Sequence, residues 1–358
     1  MNKIILHGAT NCSSSNYGDY LYAEMVHEYL IKKSVSVRFF QASDFIKKNI
    51  PYYQQSFKCK ESEGVVYIPG GYFGEGHNAR FRDNVIQFLR FLPLGIWAAW
   101  KHKPIAVIGV GAGPNNFKIM NWGIKTICKN AKIVTVRDQE SYKALMQLCP
   151  EANVVECGDL ILTGCLPSIR TNQIQSIIDF SENKKIILAH YNHDKTALHL
   201  FAESLTRFVK MNPEYKIVVA SDSILENEDE LFVEFEKQYQ GQCFHFVYTN
   251  PAELTNLLET VDVVLTCKLH VGVVAAEKNK SVISVACHPE KTSRFYKEIG
   301  EAGRSISLFE ATEAKIVELL NEYSGKPILI SQSMIDAAQK SWKYLDEFLK
   351  IDEAKYGE

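Results

Sequence analysis

The sequence predicts an α/β protein of two domains, each a parallel sheet flanked by helices. Three observations carry this reading. Short apolar runs rich in β-branched residues, such as Lys3 to Ala9, Pro104 to Pro114 and Val261 to Thr266, recur along the chain. Runs of this kind read as strands buried on both faces of a parallel sheet. They alternate with helical patterns about six times, pass a boundary, and alternate about five or six times more. The chain has 358 residues, enough for two domains of ordinary size.

Composition narrows the function classes. Hydrophobic residues make up 46% and charged residues 23%, which is a soluble globular composition. The formal net charge of −2 argues against broad binding to nucleic acid, while leaving room for a local basic pocket. The nine cysteines (Cys12, Cys59, Cys128, Cys149, Cys157, Cys165, Cys243, Cys267, Cys287) form no C-x-x-C pair. They suit buried thiols in a reducing cytosol, not a disulfide framework or a zinc site. The N-terminus has no signal-peptide pattern, and no apolar run reaches the ~18 residues of a bilayer span.

The first strand, Lys3 to Ala9, runs into the polar loop Thr10 to Asp19, and a helix is expected from Tyr20 to Lys33. Free N–H groups at a helix start favour an anion there. Asp19 reads equally as a helix cap and as a functional carboxylate. Val35 to Phe40 is the second strand. Gly64 to Gly71 is the third and ends in two glycines; Gly70, Gly71, Gly74 and Gly76 allow sharp turns or close approach to a ligand.

Arg80 to Trp100 reads as helical, broken at Pro93. Its apolar second half, with Lys101, His102 and Lys103, has two readings. The preferred one is a crossover helix packed on a sheet. The other is a peripheral membrane contact through 91–103, because tryptophans and flanking cations suit a bilayer surface. In Pro104 to Pro114 the spacing G-x-G-x-G-P is not the dinucleotide fingerprint, and it does not follow the first strand of its domain. Ala131 to Asp138 is the fifth strand and delivers Arg137 and Asp138, with Ser141 opening the next helix. A planar guanidinium suits a carboxylate or phosphate; an Arg–Asp pair capping the helix is the alternative. Asn153 to Asp159 is the sixth strand.

The boundary falls at Gly164 to Asn172, giving an N-terminal domain 1–165, a C-terminal domain 166–330 and a C-terminal helix 331–358. In the second domain Lys185 to Tyr191 is a strand ending in His190, Asn192 and His193. Lys195 to Met211 is a helix by its apolar spacing. Tyr215 to Ala220 is a strand followed by Ser221, Asp222 and Ser223. A helix from Asn227 to Tyr239, a strand from Cys243 to Tyr248 and a helix opened by Asn250 and Pro251 come next. The strands Val261 to Thr266 and Ser281 to Ala286 deliver Lys268 and His270, then His288, Glu290 and Lys291. Ligands of open α/β sheets bind at the carboxyl ends of strands. Two lysines and two histidines there read as an anion site able to transfer a proton, the alternative being ordinary surface residues of the loops that follow the strands. A short strand from Ile306 to Phe309 and helices from Thr312 to Tyr323 and Ser333 to Leu349 end the chain.

The segment Cys267-Lys268-Leu269-His270, with His288-Pro289-Glu290-Lys291 after it, resembles the (S/C)-x-R-L-H and D-P-K-like motifs of polysaccharide pyruvyltransferases. Asn16-Tyr17-Gly18-Asp19 resembles the N-x-G-D segment of that family. Gly70-Gly71, the G-x-G-x-G-P run and Arg137-Asp138 with Ser141 also have counterparts in it, as does Asp159. Lys268 stands where the family usually has arginine, and His288 where it often has aspartate. The resemblance implies two Rossmann-like domains facing a central cleft in a GT-B-like arrangement. It implies a cytoplasmic ketal pyruvyltransferase moving a pyruvyl group from phosphoenolpyruvate onto two hydroxyls of a hexose in a surface-polysaccharide precursor. No cofactor is implied beyond that donor substrate, and a lipid-linked acceptor at the inner membrane face is the preferred form. His270 would then protonate the donor and Asp19 take a hydroxyl proton. Arg137 and Lys291 would bind the donor, with Lys268, Asn16, Gly70, Gly71 and His288 as further binding positions. Two rivals stand beside this. A GT-B glycosyltransferase would use Lys268 and Lys291 but gives Arg137 and Asp19 no joint role. A non-catalytic sugar- or anion-binding protein would bind without turnover.

Overall fold

The computed structural model describes residues 1–11, 15–55, 57–75, 80–114, 116–191 and 194–350. Cys12, Gly76, Asn192, His193 and positions 351–358 of the expected last helix lie outside the described residues. The chain forms two compact units. The first comprises Met1–Ser14, Asp19–Cys165 and Gln332–Glu358; the second comprises Ser15–Gly18 and Leu166–Ser331.

The sheet of the first unit has β1 (Lys3–His7), β2 (Ser36–Phe39), β3 (Gly64–Tyr67), β4 (Gly70–Phe73), β5 (Ile105–Ala112), β6 (Ala131–Val136) and β7 (Val154–Glu156). Their order is β2-β1-β3-β5-β6-β7, with β4 beside β5, and the pairings are parallel. All of β5 is buried, which is why its sequence shows no apolar–polar alternation. The expected third strand is in fact two. β3 stops at Tyr67, because Pro69 has no N–H for the ladder, and the chain re-enters as β4 with Gly70 and Gly71 inside it. The expected sixth strand ends at Glu156, and Asp159 instead caps a short 3-10 helix, Leu160–Thr163.

Proline at a helix start separates Phe81–Phe91 from Pro93–Trp100. In the second of these Leu94, Gly95, Ala98 and Ala99 are buried, while Trp100 is exposed. A further helix, Lys118–Asn130, buries Met120, Ile124 and Ile127. The last helix, Gln332–Lys350, belongs to the first unit. Trp342 stacks on Tyr29 at 4.2 Å between ring centres and donates through Nε1 to Thr163 Oγ1 at 3.3 Å. The terminal ammonium of Met1 donates to the Leu349 carbonyl at 2.7 Å.

The second unit has β8 (Lys185–His190), β9 (Tyr215–Ala220), β10 (Cys243–Phe246), β11 (Val263–Thr266), β12 (Ser281–Ala286) and β13 (Ser305–Ser307), in the order β10-β9-β8-β11-β12-β13. All its pairings are parallel. Its helices have local reasons to start. Asp194 accepts from the N–H groups of Thr196 and Ala197 at 2.9 and 3.2 Å to open Lys195–Met211. A cap of this kind is worth about 1 kcal/mol. No helix among the described residues is long and apolar enough to cross a membrane.

Candidate active site

The second sheet reverses its winding between β8 and β11. From β8 the chain goes to β9 on one side, and β11 pairs on the other. Ligands of such sheets bind outside the carboxyl ends of the strands at this switch point. The two strands end side by side, with His190 and Thr266 as register partners. His190 Nδ1 lies 3.0 Å from Thr266 Oγ1, which also accepts from the Lys268 N–H at 3.0 Å. Asp222, which follows β9 and is 2% exposed, adds a carboxylate. Its Oδ1 is 3.7 Å from His190 Nε2 and its Oδ2 is 3.6 Å from Lys268 Nζ. A carboxylate buried this deeply needs cationic company, and Lys268 supplies it.

The end of β12 adds His288 and Lys291. Burial first, then the charges of Lys291 and Lys268, hold the His288 imidazole below its ordinary range. Lys268 and Lys291 thus both act on His288. His288 is the N-cap position of the helix Pro289–Glu298, and Lys268 that of Leu269–Glu277. Neither side chain caps its helix. Two helix starts and two lysines therefore favour negative charge at one edge of the sheet.

His270 lies in the first turn of the helix Leu269–Glu277. Its ring rests on the N-terminal segment. A Cβ added to Gly18 would stand 1.9 Å from His270 Nδ1 and 2.4 Å from its Cγ. Glycine at this position is thus a demand of the imidazole. The neighbouring Tyr17 is buried and shares a 2.8 Å hydrogen bond with Thr255 Oγ1, which fixes Asn16 to Gly18 on the second unit. The motif Asn16–Gly18 and His270, far apart in sequence, are in this way one structural feature.

Asp19 is the next residue and counts with the first unit. Burial first, then Tyr67 and Asp19, push the Tyr72 phenol well above its ordinary range. Asp19 therefore acts on β4, the strand that carries Gly70 and Gly71. Of those two glycines Gly71 is exposed and Gly70 is buried.

Arg137 is held at the end of β6. Its side chain is 10% exposed, with Nε 3.6 Å from Asp138 Oδ2 and Nη1 4.0 Å from Asp159 Oδ2. Burial works against the cation, but Tyr22, Asp159 and Asp138 outweigh it and raise the guanidinium above its ordinary value. The plane of the group lies against Gly111, where a Cβ would stand 3.0–3.2 Å from three guanidinium atoms. Gly109, at φ +58°, donates its N–H to Thr135 Oγ1 at 2.7 Å where the β5–β6 register shifts. The glycine-rich run of β5 thus serves the seating of Arg137. Asp138 caps the helix Gln139–Leu148 by accepting from Ser141 N at 2.7 Å. Asp159 accepts from the Tyr22 hydroxyl at 2.8 and 2.9 Å and from Ile161 N at 3.0 Å. Among the described residues Arg137 Nη1 has no hydrogen-bond partner.

Three residues of these networks have no role assigned from sequence, although His190 and Asp222 are named there as residues at strand ends. His190 and Asp222 carried a usable signal, since both directly end or follow an apolar strand. Tyr22 carried none, because a tyrosine in an apolar helix looks like core.

Comparison with known proteins bears on this geometry. The chain matches the family model described as polysaccharide pyruvyl transferase over residues 16–289. No curated protein matches it. Among solved structures it is similar to S. aureus MnaA in a co-structure with UDP, at 14% identity and a TM-score of 0.66, covering 100% of this chain and 98% of that one. A putative UDP-N-acetylglucosamine 2-epimerase from Listeria monocytogenes gives 11% identity and a TM-score of 0.66, with 99% and 97% covered. The Methanocaldococcus jannaschii UDP-GlcNAc 2-epimerase in complex with UDP-GlcNAc and UDP gives 11% and 0.62, with 97% and 100% covered. At such identities the likeness is one of fold, two parallel sheets flanked by helices of the GT-B-like kind.

Proposed function

The chain belongs to the polysaccharide pyruvyl transferase family, and from that premise we propose that it moves a pyruvyl group from phosphoenolpyruvate onto two hydroxyls of a hexose in a polysaccharide precursor. The observation that carries the reading is the seat of His270 on Gly18, beside the lysine-rich strand ends of the second sheet. Phosphoenolpyruvate brings a phosphate and a carboxylate, and Lys291, Lys268 and two helix starts suit such an anion. In the proposed sequence His270 gives a proton to the methylene carbon, leaving C2 electron-poor. A sugar hydroxyl adds to C2 as Asp19 takes its proton. The second hydroxyl then displaces phosphate from C2, its proton passing to the departing phosphate, and closes the cyclic ketal. Arg137 is assigned to a substrate carboxylate, with Tyr22, Asp159 and Asp138 keeping it charged and in plane. The lysine at 268 keeps the charge of the arginine usual there but not its fork, and Asp222 is the partner that orients it.

Calorimetry with phosphoenolpyruvate tests this on the native protein, Lys291→Ala and Arg137→Ala, with UDP as rival because similar folds hold it. Losing one charge-assisted contact is worth about 1.5–3 kcal/mol, or ~10- to 150-fold in affinity. Both variants should weaken the donor by that much. Binding of UDP with no response to phosphoenolpyruvate would sink the proposal in favour of a nucleotide-sugar enzyme.

A further inference from the structure

One face of the first unit breaks the usual division of a surface helix into an apolar inside and a polar outside. The helix Phe81–Phe91 buries Asn84 and Phe91 on its inner side. Its outer side exposes Phe81, Ile86 and Leu89 together with Arg82 and Arg90. The helix Lys118–Asn130 exposes Trp122 in a stripe with Lys118, Lys125 and Lys129, at the spacing of one helical face. The two surfaces are continuous. Phe88 stacks on Trp122 with ring centres 6.3 Å apart, and Phe81 meets Phe117 edge-on at 5.4 Å. Exposed Trp100, with Lys101 over its ring at 3.9 Å, ends the helix packed beside them.

Charge marks the same region. Between Arg80 and Asn130 the sequence has eight lysines and arginines and a single acid, Asp83, while the whole chain carries a net charge of −2. Glu151 lies 3.7 and 3.9 Å from Lys125 and Lys129 and offsets part of this. Arg82, Arg90 and Lys118 are exposed on the same two helices as the apolar side chains, and Lys101 stands over Trp100, whereas Lys103 is turned to the carbonyls of Lys60 and Ser62. An exposed apolar patch calls for a non-polar phase, and a cationic rim calls for an anionic one. An anionic bilayer surface offers both: headgroups for lysine and arginine, and the acyl boundary for tryptophan, phenylalanine and leucine. A second copy of the chain would set like charge against like.

We propose that the face formed by the helices Phe81–Phe91 and Lys118–Asn130 docks on an anionic lipid bilayer. This shifts the membrane contact from 91–103, whose apolar residues are largely buried, to the helices on either side. It holds whatever reaction the protein catalyses.

Co-sedimentation tests it, with vesicles of phosphatidylcholine and of equal parts phosphatidylcholine and phosphatidylglycerol. The native protein should bind the second kind only, and less as salt rises. Each cation near such a surface contributes about fivefold in binding, so the triple variant Arg82→Gln, Arg90→Gln, Lys118→Gln should weaken it by ~100-fold. Leu89→Ala with Trp122→Ala, which leaves charge untouched, should weaken it by ~10-fold or more. Circular dichroism should match the native protein for both, since the altered side chains are exposed. No vesicle binding, equal binding to neutral vesicles, or binding indifferent to both variants would overturn the proposal. So would self-association in sedimentation velocity that the variants abolish, because the face would then belong to a second copy.

Discussion

Replacing Gly18 with alanine sets two effects of opposite sign against each other. Within the helix Tyr17–Lys32, alanine is favoured over glycine by about 0.5–1 kcal/mol. If helix propensity governed this position, Gly18→Ala would stabilise the protein. The new methyl would instead stand 1.9 Å from His270 Nδ1, whereas the non-bonded contacts of a Cβ essentially never fall under 3.0 Å. The imidazole or the backbone has to retreat by about an ångström, and overpacking of this sort costs about 1–3 kcal/mol. With mid-range values, about 2 kcal/mol for the clash less about 0.75 kcal/mol for the helix, the net expectation is a loss of about 1 kcal/mol. Urea unfolding of four proteins decides it: native, Gly18→Ala, His270→Ala and the double variant. With the ring removed, the alanine should become neutral or stabilising, so that the two positions couple by about 1–3 kcal/mol. In a turnover assay the displaced ring should cost ~100-fold, the usual effect of a 1 Å error in placement. A Gly18→Ala protein as stable as the native one, or an equal penalty with and without His270, would refute the argument.

Asp222→Asn leaves Lys268 and His190 without their shared carboxylate; a loss of about 1–3 kcal/mol is expected by urea unfolding, largely recovered when Lys268→Met is added, since Lys268 is partly exposed. His7 donates from Nε2 to the Phe91 carbonyl at 3.0 Å and is held down to about 4 by burial. The stability this lends is whole above the ordinary value of 6.5 and is lost as pH falls from 6.5 to about 4, by at most ~3 kcal/mol. His27, also lowered to about 4 by burial, adds to the loss, whereas Glu24, raised to about 7 by burial, acts in the opposite sense. The share of His7 is therefore read as the change with pH in the stability difference between native protein and His7→Gln. Trp342→Ala removes the stack on Tyr29 and should cost about 3–5 kcal/mol in the first unit. Hydrogen exchange should then rise in β5 and β6 but not in β8 and β11.

The fold was legible because its signals are local. Strands buried on both faces announce themselves as unbroken apolar runs, and the apolar spacing of Lys195–Met211 marks it as a helix. Failures came where a local signal was overruled or missing. The apolar run through Ile68 hid the break that Pro69 imposes between β3 and β4. The helix Lys118–Asn130 went unread because lysines and a tryptophan occupy the side that should look plainly polar. At the site, the polar residues at strand ends could be picked out, since strand ends are where such sheets place them. Partnerships could not. Nothing near Gly18 in sequence says that His270 rests on it, and nothing near Arg137 says that Gly111 makes room for its plane. Those contacts arise between segments that only the folded chain brings together.

The path of the chain has a consequence for its birth. The first unit is begun at Met1 and finished only by the helix Gln332–Lys350, while Leu166–Ser331 is spent on the second. Translation at about 5–20 residues per second makes that interval on the order of ten to forty seconds. Through it β5, β6 and the surface of Tyr29 lack their covering helix, and the second sheet can close ahead of the first. A chaperone that serves this protein on the ribosome should meet the N-terminal half, waiting for the last nineteen residues of helix to arrive. The hydrogen bond from the Met1 ammonium to the Leu349 carbonyl is made only once that helix has arrived.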